Sequence, residues 1–347
     1  MSLINRIIAF TELGKQLKLS LKKDQKQESV NNFKNVIQQA SDTNEWFTTT
    51  NLNYAINAIA ESLTEKNTKK WLNKYADIES YKTSKNVAII MAGNIPLVGF
   101  HDLLSTLVSG HKAIIKQSSK DDLLIKGVVE LLINIEPEFK NFVQFTEDRL
   151  TNFDAVIATG STNSSRYFEY YFGKYPNIIR KNRNSVAVIT GNESAEELNQ
   201  LAEDIFLYFG LGCRNVSKLY IPDKFDIDRF FKAMYHYKDI INHNKYANNY
   251  TYNRSIYLMN KIDFLENGFM ILKEDIGMSS PISVVFYERY AKLKSVKERL
   301  EIDQDNIQCV VSNEKDLPNQ VGFGEAQKPQ LWDYADNVDT LEFLLKL

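Results

Sequence analysis

Over the first 85 residues the chain is mostly polar, and its apolar positions recur at helical spacing. From Asn51 onward, Ala55, Ile56, Ile59 and Leu63 fall three and four apart, which predicts one apolar helix face. Trp46, Trp71 and Tyr75 add aromatic anchors. This stretch reads as a helical layer covering a sheet edge; a groove for an apolar chain is the sharper alternative. At Asn86 the pattern changes. Residues 86–92 are almost continuously apolar, as expected of a strand buried on both faces, and Gly93-Asn94-Ile95-Pro96 then forms a turn. Residues 97–109 read as a helix stopped by Gly110 in a left-handed conformation, and 112–116 as the next strand. Strand, helix, strand over so short a span is a parallel βαβ unit.

The alternation continues. A helix from about Lys120, a short strand near Phe142, a strand at 154–160, a helix from about Asn163 and a strand at 185–190 follow in turn. Residues 194–209 read as a helix that Gly210-Leu211-Gly212-Cys213 interrupts, and 216–222 as a strand. Residues 222–300 are α/β again, 307–312 look like a buried strand, and the stretch from Leu331 is polar, then helical. Such repetition predicts an α/β fold built on doubly wound sheets. No internal repeat, low-complexity tract or obvious linker interrupts it, and a soft domain boundary falls near residue 190.

Composition narrows the function. The chain has 347 residues, 44% hydrophobic and 25% charged, with 42 Lys plus Arg against 44 Asp plus Glu. A net charge of −2 argues against a broad basic face for nucleic acid. Two cysteines, Cys213 and Cys309, make no disulfide framework and fit a reducing cytoplasm. The apolar stretch Ile7–Phe10 is too short for a signal sequence, and no run approaches a membrane span. Four scattered histidines make a metal site improbable on ligand count.

Four places carry candidate chemistry. Cys213 follows two glycines, which permit unusual backbone angles, and precedes Arg214, a cation that can lower a thiol pKa. A free thiol with pKa ~8.5 is only a few per cent thiolate at neutral pH, so such a shift matters. A small buried hydrophobe is the alternative, and Cys309, inside an apolar run, suits that role better. Asn94 stands where a strand ends and a helix follows: it either caps that helix or donates its amide to an oxyanion. Thr159-Gly160-Ser161 lies between a strand and a helix, where amides and hydroxyls cap the helix or meet a phosphate. Lys116 ends a strand and precedes Gln117, Ser118 and Ser119; it is a solvated charge or reaches a ribose or phosphate. The dinucleotide fingerprint GxGxxG, the Walker A sequence and GxSxG are absent.

In order, these landmarks resemble the aldehyde dehydrogenase superfamily: an Asn-x-Pro turn, Gly110 to Lys116, Thr159-Gly160-Ser161, then Gly210-Leu211-Gly212-Cys213 in the place of the family's Gly-x-Cys. Lys273-Glu274-Asp275-Ile276 resembles a later Glu-containing motif of that family. The closing stretch from Gly322 resembles the acyl-CoA reductases related to the fatty-acid reductase of bacterial bioluminescence. The likeness spans roughly residues 70–347. It implies an aldehyde dehydrogenase-like α/β fold: two doubly wound domains with a cleft between them and an N-terminal helical segment. On that reading 1–190 is helices plus the cofactor domain, 191–330 the cysteine domain, and 331–347 a tail packing back.

The resemblance also implies roles. Cys213 is the nucleophile and Asn94 the oxyanion donor. Lys116 meets the adenosine ribose, Thr159, Gly160 and Ser161 lie along the pyrophosphate, and Glu274 or Asp275 meets the nicotinamide ribose. Aldehyde-oxidising members carry a glutamate that activates water, and here Arg180-Lys181-Asn182-Arg183 occupies that stretch. Loss of this base disfavours hydrolysis of a thioacyl enzyme, and the basic cluster offers charge to a phosphate. Ser119 stands where NAD-preferring relatives often have a glutamate, which favours NADPH. The expectation is therefore a cytoplasmic, NADPH-dependent reductase of a long-chain acyl-CoA, with no nucleic-acid partner and no metal. Homo-oligomerisation stays open, because the chain is shorter than is usual for the superfamily. An acyl-phosphate reductase, an aldehyde oxidiser and an inactive nucleotide-binding interaction protein are the rivals.

Overall fold

A computed structural model describes residues 1–23, 26–75, 78 and 83–347. It divides the chain into two compact units, one of Met1–Asn182 with Gln330–Leu347 and one of Arg183–Pro329.

The first unit opens with four helices, α1 (Leu3–Ser20), α2 (Glu28–Thr43), α3 (Thr49–Ser62) and α4 (Glu65–Leu72). Then β1 (Asn86–Ile90), α5 (Phe100–Val108), β2 (Lys112–Lys116), α6 (Leu124–Ile135), β3 (Val143–Phe145), β4 (Ala155–Thr159), α7 (Thr162–Phe172) and β5 (Asn177–Arg180) alternate. The strands form one parallel sheet in the order β3-β2-β1-β4-β5. Alternate residues of β1 feed two cores. Val87 and Ile89 join the faces of α1–α6, whereas Ala88 packs with Val156 and Ala158 on the side of Phe168 and Phe172 of α7. Strands buried on both faces lose their polar alternation, which is why they appeared as continuous apolar runs. The N-terminal helices form the predicted layer, but they pack with α5 and α6 over one face of the sheet rather than over its edge, and Ile56 and Trp71 are fully buried in the larger core.

The second unit runs β6 (Asn184–Val188), α8 (Ala195–Phe206), β7 (Val216–Pro222), α9 (Ile227–Met234), α10 (Asn244–Met259), β8 (Leu265–Glu266), β9 (Ile271–Glu274), β10 (Val284–Tyr290), α11 (Leu293–Ile302), β11 (Ile307–Val311) and β12 (Gln320–Val321). The sheet order is β12-β11-β6-β7-β10-β9-β8, parallel throughout except for the β8–β9 pair. Helices α8 and α9 pack on one face and α10 and α11 on the other. A last helix, α12 (Thr340–Leu345), returns to the first unit, where Leu341 and Leu344 are fully buried.

Boundaries moved where local chemistry overrode periodicity. Helix α5 starts at Phe100 rather than Leu97, because Leu97 is left-handed with φ 59°. Helix α8 stops at Phe206 rather than Phe209, because Tyr208 and Phe209 are left-handed (φ 53° and 58°). Strand β5 escaped prediction: it is four residues long and owes its conformation to pairing with β4. Among the described residues no helix is long and apolar enough to cross a membrane.

Candidate active site

In the first unit the carboxyl ends of the parallel strands gather six sequence-predicted residues along one edge. Ile90 of β1 is in register with Lys116 of β2 and one row of β4 below Thr159. The turn holding Asn94, the segment Gln117–Ser119 and the residues Thr159, Gly160 and Ser161 therefore leave the sheet together. The chain passes from β3 to β4 across β2 and β1, so the loops after β1 and β4 flank the topological switch point, where open α/β sheets bind ligands.

Asn94 is exposed and lies well before Gly99, the residue that precedes α5, so it is not that helix's cap. Its turn is held tightly. A Cβ on Gly93 would come within 2.8 Å of Ser118 Oγ, so the turn touches the β2–α6 loop as only glycine allows. Leu97 N–H donates to Asp121 Oδ2 at 3.0 Å, and Leu124 N–H donates to Asp121 Oδ1 at 3.3 Å. Burial pushes the Asp121 carboxyl up to about 6, against the pull of those two donors.

Lys116 is partly buried, and its Nζ donates to the carbonyls of Glu147 and Asp148 at 3.2 and 2.9 Å. Ser119 is exposed. Ser161 caps α7, accepting from Ser164 N–H, and Gly160 is small because Phe168 and Ser164 lie 2.8 Å from where its Cβ would stand. The basic cluster requires a correction. Arg180 is 4% exposed, with its Nη2 on Asp102 Oδ1 at 2.6 Å and on Thr340 Oγ1 at 2.9 Å. Its charge is committed to a buried ion pair that ties β5 to α5 and α12, so it does not offer itself to a phosphate. Lys181 pairs with Glu169, and Arg183 donates to the carbonyls of Gln304 and Ile307.

In the second unit Cys213 precedes β7 and so lies at the amino edge of its sheet. A separate cleft of about 690 Å³, lined by Thr190, Asn192, Asp223, Lys224 and Glu314 among others, occupies the carboxyl edge. Cys213 occupies a corner of the turn Gly212–Asn215, closed twice: Asn215 N–H donates to Gly212 O at 3.0 Å, and Gly212 N–H donates to Asn215 Oδ1 at 2.8 Å. The Ser185 hydroxyl donates to Cys213 O at 2.9 Å. Cys213 is half-buried, whereas Cys309 is sealed, with burial pushing its thiol up to about 11. The Arg214 guanidinium works against that rise at Cys309, and its Nη1 donates to Ala326 O at 3.5 Å. Ala326 belongs to the closing Gly322–Lys328 segment, which the fully buried Asp204 of α8 grips through Gly324 N–H (2.7 Å) and Ala326 N–H (3.0 Å). Burial pushes the Asp204 carboxyl up to about 7.

Glu274 ends β9 and is exposed; Asp275 is half-buried and ion-paired with Lys273. The Lys273 ammonium and Gly277 N–H hold the Asp275 carboxyl below its usual range. The loop beyond runs back along β7: Lys218 Nζ donates to Ile276 O at 2.9 Å and Ser217 Oγ to Met278 O at 2.6 Å. Ser217 Oγ also reaches Ser185 O at 3.4 Å, so this loop and the cysteine turn share one pair of serines. Sequence reasoning missed Asp121, Ser185, Asp204, Asn215 and Ser217. Their only local signal was polarity next to an apolar run, as with Asp204 beside Ile205 and Asn215 beside Val216.

One family model, Acyl-CoA reductase (LuxC), matches residues 10–244 of the chain. No curated protein matches it in sequence. In fold it is similar to aldehyde dehydrogenase 21 from Physcomitrella patens, solved with the reaction product succinate. That match has TM-score 0.68 and 11% identity, over 100% of this chain and 84% of the other. It is likewise similar to an oxidoreductase from Marinobacter aquaeolei (TM-score 0.66, 11% identity, 95% and 79% covered). The NAD+ complex of an aldehyde dehydrogenase from Bacillus cereus gives TM-score 0.62 and 13% identity, with 91% and 72% covered. The fold is aldehyde dehydrogenase-like.

Proposed function

The chain belongs to the acyl-CoA reductase (LuxC) family and is an oxidoreductase, and on that premise we propose that it reduces an acyl-CoA, of long chain by analogy, to an aldehyde with NADPH in the cytoplasm. The observation that carries this reading is the contrast between the two thiols. Cys213 is half-buried at the corner of a doubly closed turn, while Cys309 is sealed and held as a neutral thiol.

Cys213 attacks the thioester carbonyl as thiolate. A C–S bond forms to the acyl carbon, the bond to coenzyme A breaks, and coenzyme A leaves as its thiolate. Asn94 is assigned the side-chain N–H that meets the oxyanion, a contribution of about 10²–10³ in rate. When bound, the dinucleotide supplies the hydride that converts the thioacyl group to the aldehyde. The residues at the carboxyl edge of the first sheet suit such a group. Ser119, Thr159 and Ser161 carry hydroxyls and no charge, Lys116 carries a positive one, and the exposed Ser119 presents nothing to repel a 2′-phosphate. Glu274 or Asp275 is assigned the nicotinamide ribose, and the Asp275 carboxyl, already held ionised by Lys273, is suited to accept from hydroxyls. Arg180 stands near the place of the water-activating glutamate of aldehyde-oxidising relatives, so hydrolysis of the thioacyl enzyme is disfavoured and the acyl group is left for reduction.

The test is Cys213→Ala. NADPH oxidation driven by acyl-CoA is expected to vanish while NADPH still raises the melting temperature. Retained turnover would overturn the reading. Acyl phosphates run alongside acyl-CoAs distinguish the two reductase chemistries, and NADH alongside NADPH tests the cofactor.

A further inference from the structure

We propose that Asn215 is the positioning residue that holds the Cys213 turn in its reactive shape. This rests on Cys213 being the nucleophile. Between the end of α8 and the start of β7 the chain reverses through a run of left-handed residues: Tyr208 (φ 53°), Phe209 (φ 58°) and Gly210 (φ 76°). A left-handed conformation is costly for an L-residue, so two in succession persist only where the surroundings over-determine them. Neither side chain escapes to solvent, because Tyr208 and Phe209 are both buried.

Asn215 supplies that determination. It is 3% exposed, and its Nδ2 donates to the carbonyls of Asp204 (3.1 Å), Ile205 (3.4 Å) and Leu207 (2.8 Å), at and just beyond the end of α8, where a helix runs out of its own donors. Its Oδ1 accepts from Gly212 N–H at 2.8 Å, and its backbone N–H donates to Gly212 O at 3.0 Å. One residue therefore joins the end of α8 to both polar groups of Gly212, the residue before Cys213: its carboxamide takes the N–H and its backbone N–H meets the carbonyl. A carboxylate of the same size keeps the acceptor but has no N–H for the three carbonyls, and a longer side chain does not fit the same partners. The side-chain hydrogen bonds of Asn215 go to the end of α8 and to Gly212, so it acts through the turn. Misplacing a reacting group by about 1 Å costs on the order of 10²-fold in rate.

The experiment follows coenzyme A release in a single turnover at saturating acyl-CoA, in the full-length chain. Thermal melting and NADPH binding are measured on the same samples. With Asn215→Ala, release is expected to slow about 100-fold with the NADPH dissociation constant unchanged. Asn215→Ser, whose hydroxyl still accepts from Gly212 N–H, is expected to recover part of that loss, and it serves alone if the alanine variant does not fold. Alkylation of Cys213 by iodoacetamide is expected to slow in parallel. A lowered melting temperature with unchanged release and alkylation would assign Asn215 a purely structural role and overturn the proposal. Retained turnover in Cys213→Ala would instead defeat the nucleophile assignment, and the alkylation rate would still report whether Asn215 shapes the turn.

Discussion

Two thiols in one domain meet opposite environments, and each substitution there has its own expected result. Cys309 is 2% exposed between Ser185 and the apolar core, so Cys309→Ala removes a small buried side chain. It should cost about 1 kcal/mol of stability and leave turnover within about twofold, measured by melting and by NADPH oxidation. Ser119 is exposed at the edge assigned to the cofactor. Ser119→Glu places a carboxylate where a 2′-phosphate is expected, and like charges repel. The ratio of NADPH to NADH affinity should fall by about tenfold or more, read by titration of each cofactor.

At the scale of elements, polar residues far apart in sequence brace the turns. Asp204 of α8 takes two backbone N–H groups of the 322–328 segment, and burial pushes its carboxyl up to about 7. The folded chain thus holds this proton more tightly than the unfolded chain does. The stability so contributed is complete below the unfolded value of about 4 and is lost as pH rises through about 7. Asp204→Asn lacks that dependence. The variant's melting temperature relative to the parent should therefore rise from about pH 5 to about pH 8, even though the amide satisfies one N–H fewer. The Arg180–Asp102 pair behaves otherwise. Both side chains are buried, so Arg180→Ala strands a carboxylate and should destabilise the first unit by about 3–5 kcal/mol. The NADPH dissociation constant of the folded variant should stay close to the parent's, because the charge is spent internally.

At the scale of the whole molecule, the two units differ in how the chain builds them. The second is one continuous stretch, Arg183–Pro329, whereas the first needs the return of Gln330–Leu347. That return brings Tyr334 OH to Trp71 Nε1 and Tyr75 OH, each at 2.6 Å, and Thr340 to Arg180. His111 Nε2 meets Leu344 O at 2.9 Å, and Leu341 and Leu344 fill the core. Removal of residues 330–347 should make the first unit sensitive to protease while the second still gives protected fragments, checked by limited proteolysis and mass spectrometry.

What the sequence determined by itself was the succession of strands and helices, the doubly wound architecture and the order of the landmark motifs. Strands buried on both faces and helices buried on one write their environment into a few neighbouring residues, as Asn86–Ile90 and Ala55–Leu63 do. Tertiary structure alone decided which polar residues are spent on structure. Arg180 looked like free charge and is a buried tie, while Asp204 grips Gly324, 120 residues away. Asn215 gathers four groups that no motif joins. A hydrogen bond between distant segments leaves no periodic trace, because its energy depends on which part of the chain covers it from water, and that is settled only when the segments of one unit pack together.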